Sequence, residues 1–293
     1  MDQTYYKVLN QLLTENNINR ISYDEIKKIK RIGRGSQSSV YMAEYKNMIV
    51  AVKELTEFDI KCIIHEIAIL SRLVSDHLPK FLGVVLDETR ENLSYVTSYI
   101  TGKPLDEIDV NKLSDDVKIK ITQQLSKIVT FIHENNCVHR DLKAENVMLD
   151  NDFKVYLIDF GISKVLNPDN TIETRAKGTM NYLAPEILDV STLNDKGQII
   201  SVITTGVDVW AFCCLVSYIF SGFIPWTTKV KPGKSTQIQI YLTKKMEFPI
   251  PSNIQQIEIL EIIRSGTIID LSQRKNMKEI NDMVQSLKPI KYI

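Results

Sequence analysis

Residues 139–161 read HRDLKAENVMLDNDFKVYLIDFG, and no other stretch limits the fold as tightly. Its middle, VMLDNDFKVYLI, is two apolar runs around a polar turn, the pattern of a short hairpin. A hairpin returns the chain to its starting point. Asn146 precedes the first run and Asp159 follows the second, so the two should finish as neighbours, with Asp141 close by. Asn146 and Asp159 offer hard oxygen ligands that suit Mg²⁺, which fills its other positions with water and phosphate. A third carboxylate beside the metal, Asp141, is placed to accept a proton from an incoming hydroxyl. Together the three form the equipment of phosphoryl transfer.

In this order and spacing the stretch resembles the catalytic and metal loops of the eukaryotic protein kinase family. The resemblance runs over about residues 26–288. It implies an α+β, protein-kinase-like two-lobe fold, with a small β-rich N-lobe carrying one main helix and a larger, mostly helical C-lobe. The expected division is 1–25 for an N-terminal amphipathic helix and connector, 26–101 for the N-lobe and 102–293 for the C-lobe, one catalytic domain in all. A cleft between lobes is the usual place for a ligand.

Periodicity agrees with that division. Tyr5, Val8, Leu9, Leu12 and Leu13 recur at helical spacing, and residues 15–23 read as a polar connector. The run VYMAEYKNMIVAVKEL predicts two strands joined at Lys46-Asn47. Residues 59–73 have helical period, and 80–86 and 93–100 predict two more strands. From there helices dominate, notably over 114–134 and 207–221.

Charge and cysteine content exclude some functions. Lys plus Arg equals Asp plus Glu at 36 each, which supports neither a nucleic-acid nor a membrane-surface role. Cys62, Cys137, Cys213 and Cys214 show no CxxC spacing, and the last two sit in an apolar run as small core residues. No apolar run is long enough to span a bilayer, and the N-terminus MDQTYYKV lacks a signal-peptide pattern. The expectation is a cytoplasmic protein with reduced thiols.

The resemblance assigns the nucleotide end residue by residue. Ile32, Gly33, Gly35, Ser38 and Val40 stand in the glycine-rich loop that covers the phosphates, with Ser38 where the family has its third glycine. Lys53, in Val-Ala-Val-Lys, should reach the α and β phosphates, and Glu66 on the following helix should orient it. The Lys53–Glu66 spacing is short for the family. Glu54 points to the opposite strand face, and Glu57 comes too early. Thr97, Ser98, Tyr99 and Ile100 align with the hinge that reads the adenine edge, and Ala51 and Met148 should sandwich the ring. Gly233-Lys234-Ser235 mimics a P-loop end, but Thr228 stands where its first glycine belongs.

At the substrate end Asp141 is the expected base, and Lys143 should neutralise charge on the moving phosphoryl group. Lys143 and the run Gly178-Thr179-Met180-Asn181-Tyr182 resemble Ser/Thr-directed kinases of the tyrosine-kinase-like branch, with Thr179 near Asp141 and Lys143. The segment from Gly161 to Ala184 is the expected activation loop. Arg140 and Lys164 are read as a phosphate trap, and Thr171 and Thr174 as phosphorylation sites for an upstream kinase. Glu186 and Arg274 should form a buried ion pair, and Asp208 should hold the turn at His139-Arg140. Residues 190–205 exceed the family pattern. A docking loop and a neutral insertion both fit, the neutral reading slightly better.

The implied activity is transfer of the ATP γ-phosphate to Ser/Thr hydroxyls of protein substrates, with Mg²⁺, or Mn²⁺ in its place. A dual-specificity kinase and a catalytically weak pseudokinase scaffold remain the alternatives at this point.

Overall fold

Alternation of apolar and polar residues builds the first of two units. The computed structural model describes residues 3–34, 38–55, 60–87, 92–169, 171–174, 178–188, 192–193, 199–231 and 233–288. The chain divides at 101/102 into units 1–101 and 102–293. In the first, helix α1 (Gln3–Glu15) leads to strands β1 (Arg20–Ile21), β2 (Lys27–Arg34), β3 (Ser38–Tyr45) and β4 (Met48–Leu55). Helix α2 (Ile60–Arg72) and strands β5 (Phe81–Asp87) and β6 (Asn92–Ser98) follow. The described strands form one sheet in the order β1-β5-β6-β4-β3-β2. Lys46 and Asn47, at φ of 47° and 60°, make the two-residue hairpin turn between β3 and β4. One face of the sheet buries Ile21, Ala43, Tyr45, Val50, Val52, Val85 and Val96.

Leu9 and Leu13 are buried and α1 packs on α2, but Val8 is 46% exposed, so the apolar stripe is narrower than its period suggests. One expectation for the N-terminal residues needs correction. Residues 15–23 are not merely a connector. Ile18 and Ile21 are buried, and β1 runs parallel to β5 as the sheet's outer strand. The Asn19 carbonyl accepts the Val84 N–H at 2.9 Å, and the Asn19 amide donates to the Leu82 carbonyl at 3.2 Å. Gly83, at φ 151°, lies so close to that Asn19 carbonyl that a Cβ would collide with it. Two apolar side chains in a polar stretch gave too short a run to read as a strand.

The second unit is helical. Its elements are β7 (Lys103–Pro104), α3 (Asp115–Glu134), β8 (Cys137–Val138), β9 (Val147–Leu149), β10 (Val155–Leu157), β11 (Lys164–Val165) and β12 (Ile172–Thr174). Then come β13 (Thr192–Leu193), β14 (Ile199–Ile203), α4 (Gly206–Ser221), α5 (Ser235–Thr243), α6 (Ile257–Gly266) and α7 (Met277–Gln285). Ser114 caps α3 by accepting the Val117 N–H. Residues 207–221 of α4 are all buried, as a helix apolar on every side must be. Gly222, at φ 75°, ends it. Burial pushes the Cys213 thiol up to about 12, so it is an inert core residue. Among the described residues no helix is long and apolar enough to cross a membrane.

The long stretch before Asp208 is not loop throughout. It contributes β13 and β14, and β14 is the middle strand of a sheet ordered β12-β14-β13. Insertion length was visible in the sequence; a pairing partner elsewhere in the chain was not.

Candidate active site

The β9–β10 hairpin forms as its pattern requires, with Val147 opposite Leu157, Met148 opposite Tyr156 and Leu149 opposite Val155. Val147, Leu149, Val155 and Leu157 are buried, and Gln124 of α3 binds the hairpin at Val155 N–H and the Phe153 carbonyl. The hairpin's ends meet where the Ile158 N–H donates to the Asn146 carbonyl at 2.9 Å. The Asn146 side-chain amide donates to the Asp141 carbonyl at 2.8 Å and to Asp141 Oδ2 at 3.1 Å. That fixes the amide's rotation and leaves Oδ1 as its acceptor end. Asp159 follows the hairpin in a left-handed backbone, φ 64°, and its Oδ1 accepts the Gly161 N–H at 3.2 Å.

Asp141 is held from both sides. Its Oδ1 accepts the Thr179 hydroxyl at 2.9 Å, and its Oδ2 lies 2.7 Å from Lys143 Nζ. Lys143 also donates to Thr179 Oγ1 at 3.1 Å, closing a triangle. A carboxylate has about four lone-pair sites, and Asn146, Thr179 and Lys143 take three of them. The Asp141 side chain is 13% exposed, so the remaining site has access to a visitor. A small hollow beside it is walled by Tyr182, Leu183 and Ile187.

The turn carrying Asp141 hangs from α4. Asp208, fully buried in the first turn of that helix, accepts the His139 and Arg140 N–H groups at 2.7 Å each and His133 Nε2 at 2.9 Å. Arg140 sits at φ 70°, a conformation that L-residues keep only when their surroundings impose it. Arg140 is buried, and its Nη1 donates to the Ile162 carbonyl at 3.0 Å. Lys164 lies in β11, paired with Val138 of β8. Thr171 donates its hydroxyl to Asp169 at 2.7 Å, an exposed local turn. The side chain of Thr174 and all of Gly35 lie outside the described residues. Arg274 grips both oxygens of Glu186, at 2.6 and 3.1 Å, and donates to the Gly206 and Ile268 carbonyls.

In the first unit Lys53 lies on β4 between Val40 of β3 and Tyr95 of β6. Glu66 of α2 accepts Lys53 Nζ at 2.8 Å and the Tyr95 hydroxyl at 2.7 Å with the same oxygen, Oε1. The lysine head also lies 5.6 Å from the centre of the Tyr95 ring. Glu54 faces away and pairs with Lys28. Thr97 is buried. The Ser98 N–H and hydroxyl are both committed to Lys80, donating to its carbonyl and accepting its N–H.

A protein kinase domain model matches residues 26–284. The chain belongs to the protein kinase family. This kinase-family chain is 29% identical over 244 residues to the serine/threonine-protein kinase CTR1 of Arabidopsis thaliana, covering 79% of this chain and 28% of the relative. It is 26% identical to cyclin-dependent kinase-like 4 of Mus musculus, covering 91% of this chain and 75% of that one. It is 27% identical to the SNF1-related protein kinase catalytic subunit alpha KIN12 of Arabidopsis, covering 86% and 49%.

Sequence reasoning missed Tyr95 and His133 as parts of this kinase framework. Tyr95 was within reach, because it stands directly across the β4–β6 ladder from Lys53. His133 carried no local signal; only the tertiary approach of α3 to Asp208 gives it a role.

The buried groups around Asp141 predict a pH dependence. Burial holds His139 below its ordinary 6.5, so it folds neutral. The unfolded chain takes up that proton near pH 6.5, so stability falls as pH drops below this point. Burial alone would raise the Asp208 carboxyl, but the hydrogen bond and charge of His133, with the hydrogen bond from the His139 backbone N–H, outweigh it and hold the group below 3.8. Its contribution is complete above about pH 4 and is lost as pH falls through the lower folded value. The melting midpoint should therefore decline from pH 6.5 downward, and a His139→Gln variant should show a flatter decline between pH 6.5 and 5. An unchanged slope in that variant would remove His139 from the account.

Proposed function

We propose that this chain is a protein kinase that transfers the γ-phosphate of ATP, bound with Mg²⁺, to Ser or Thr hydroxyls of protein substrates. The observation that carries the reading is Asp141, held by Lys143, Thr179 and Asn146 with one acceptor site to spare. In the proposed step the substrate hydroxyl occupies that site. Its oxygen bonds to the γ-phosphorus as the bond to the β-phosphate oxygen breaks, Asp141 accepts the hydroxyl proton, and ADP leaves. Lys143 offsets charge on the transferring oxygens.

The donor set fits a magnesium ion. Among the described residues no group of three or more His, Cys, Asp or Glu could hold a metal by itself. Asn146 Oδ1 and the Asp159 carboxylate are hard oxygens, and two such ligands leave the remaining positions for water and phosphate. When bound, the ion would neutralise the β and γ phosphate oxygens. Lys53, oriented by Glu66 and Tyr95, is a fixed cation for the α and β phosphates. Ile32, Gly33, Ser38, Val40, Ala51 and Met148 are proposed around the nucleotide, and adenine recognition falls to the Ser98 carbonyl and the backbone of Tyr99 and Ile100.

The test incubates the chain with γ-labelled ATP, Mg²⁺ and a generic protein substrate, followed by phosphoamino-acid analysis. Label should appear on Ser and Thr, and Asp159→Asn should abolish it. No label above that variant would refute the kinase reading, and label on Tyr would widen its specificity.

A further inference from the structure

The long stretch between Glu186 and Asp208 leaves two short strands, and one of them reaches the activation segment. Strand β14 pairs antiparallel with β12, placing Ile172 opposite Ile203, Glu173 opposite Val202 and Thr174 opposite Ser201. Its other edge pairs with β13, Thr192 opposite Ile200 and Leu193 opposite Ile199. The strand is anchored at its end. Ile203 is fully buried, and β14 packs against the turn over Pro185–Leu188. Just beyond it, the Gly206 carbonyl accepts Arg274 Nη1 at 2.9 Å, from the same guanidinium that grips Glu186.

Among its described residues the activation segment is tied down at four places. It pairs through β11 with β8, closes a turn where the Asn167 N–H donates to the Thr171 carbonyl at 2.9 Å, pairs through β12 with β14, and reaches Asp141 through Thr179. An added phosphate can order such a loop through new charge-assisted hydrogen bonds. A main-chain ladder needs none.

We propose that β14 is a built-in positioning strand for the activation segment, setting the acceptor side around Thr179 and Asp141 without a phosphate on the loop. The proposal rests on the kinase reading for its activity readout, but the pairing can be measured separately. Successive N–H groups of a strand point to opposite neighbours, so a Ser201→Pro/Val202→Pro double variant removes one donor on the β12 side.

The experiment has three arms on the full chain. In phosphatase-treated protein, confirmed phosphate-free by mass, hydrogen exchange should show protection of the alternate amides among 172–174 that face β14, and transfer should proceed at the untreated rate. In the double-proline variant those amides should exchange rapidly, and kcat/KM for the protein substrate should fall by roughly ten- to a hundred-fold, with the KM for ATP unchanged. Ser201→Ala/Val202→Ala, which keeps both N–H groups, should retain wild-type values. Unprotected amides in the phosphate-free chain, loss of its activity, or a double-proline variant with wild-type kcat/KM would each overturn the proposal. If the proline variant does not fold, the phosphate-free arm decides. If untreated protein transfers no more label than Asp159→Asn, the kinase reading fails and exchange alone judges the pairing.

Discussion

Asp141→Asn should leave the fold intact and slow phosphoryl transfer by about 10²–10⁴-fold, the range a lost general base commands. The substitution is nearly isosteric, and its amide oxygen can still accept from Thr179 or Lys143. What it cannot do is take a proton. The amide nitrogen also turns a donor toward neighbours that are themselves donors, Asn146 Nδ2 at 3.1 Å and Lys143 Nζ at 2.7 Å. The measurement is single-turnover label transfer beside a melting curve. A variant that melts like wild type and keeps more than about a tenth of its rate would remove Asp141 from the role of base.

Arg274→Ala should lower stability by about 3–5 kcal/mol, the usual result of stripping one partner from a buried ion pair. The Arg274 side chain is 1% exposed and Glu186 15% exposed, so the orphaned carboxylate gains little from water. The Gly206 and Ile268 carbonyls lose their donor as well, and the guanidinium no longer lies 5.2 Å from the Trp210 ring. For a unit of this size the loss corresponds to a midpoint lower by roughly 6–20 °C. Arg274→Lys should recover only a small part, because a single ammonium cannot reproduce the two-point grip. A midpoint within a degree of wild type would show that the pair is not a structural tie.

What could be read in advance was what is written locally. The β9–β10 hairpin, the Lys46-Asn47 turn and the apolar α4 each carry their own pattern within a few residues. The Lys53–Glu66 pair and the Asp208 anchor came from a resemblance; Lys53 Nζ lies 2.8 Å from Glu66 and the His139 N–H 2.7 Å from Asp208. Features formed by distant segments were not legible. Strand β1 is two residues long, and only its neighbour β5 makes it a strand. Tyr95 sharing Glu66 with Lys53 depends on β-ladder register and on where α2 settles. The β14–β12 pairing joins segments almost thirty residues apart through main-chain groups, which leave no trace in side-chain chemistry. The same holds for Arg140, whose donation to the Ile162 carbonyl ties a residue read as a phosphate ligand into the loop's own framework.

The suspension of the His139-Arg140 turn from one carboxylate in α4 has a genetic corollary. That helix is buried over residues 207–221, and two 2.7 Å links tie it to the turn that carries Asp141. Alleles that work when cool and fail when warm should accumulate among residues 207–221, out of sight of the substrate, rather than among the charged groups on display.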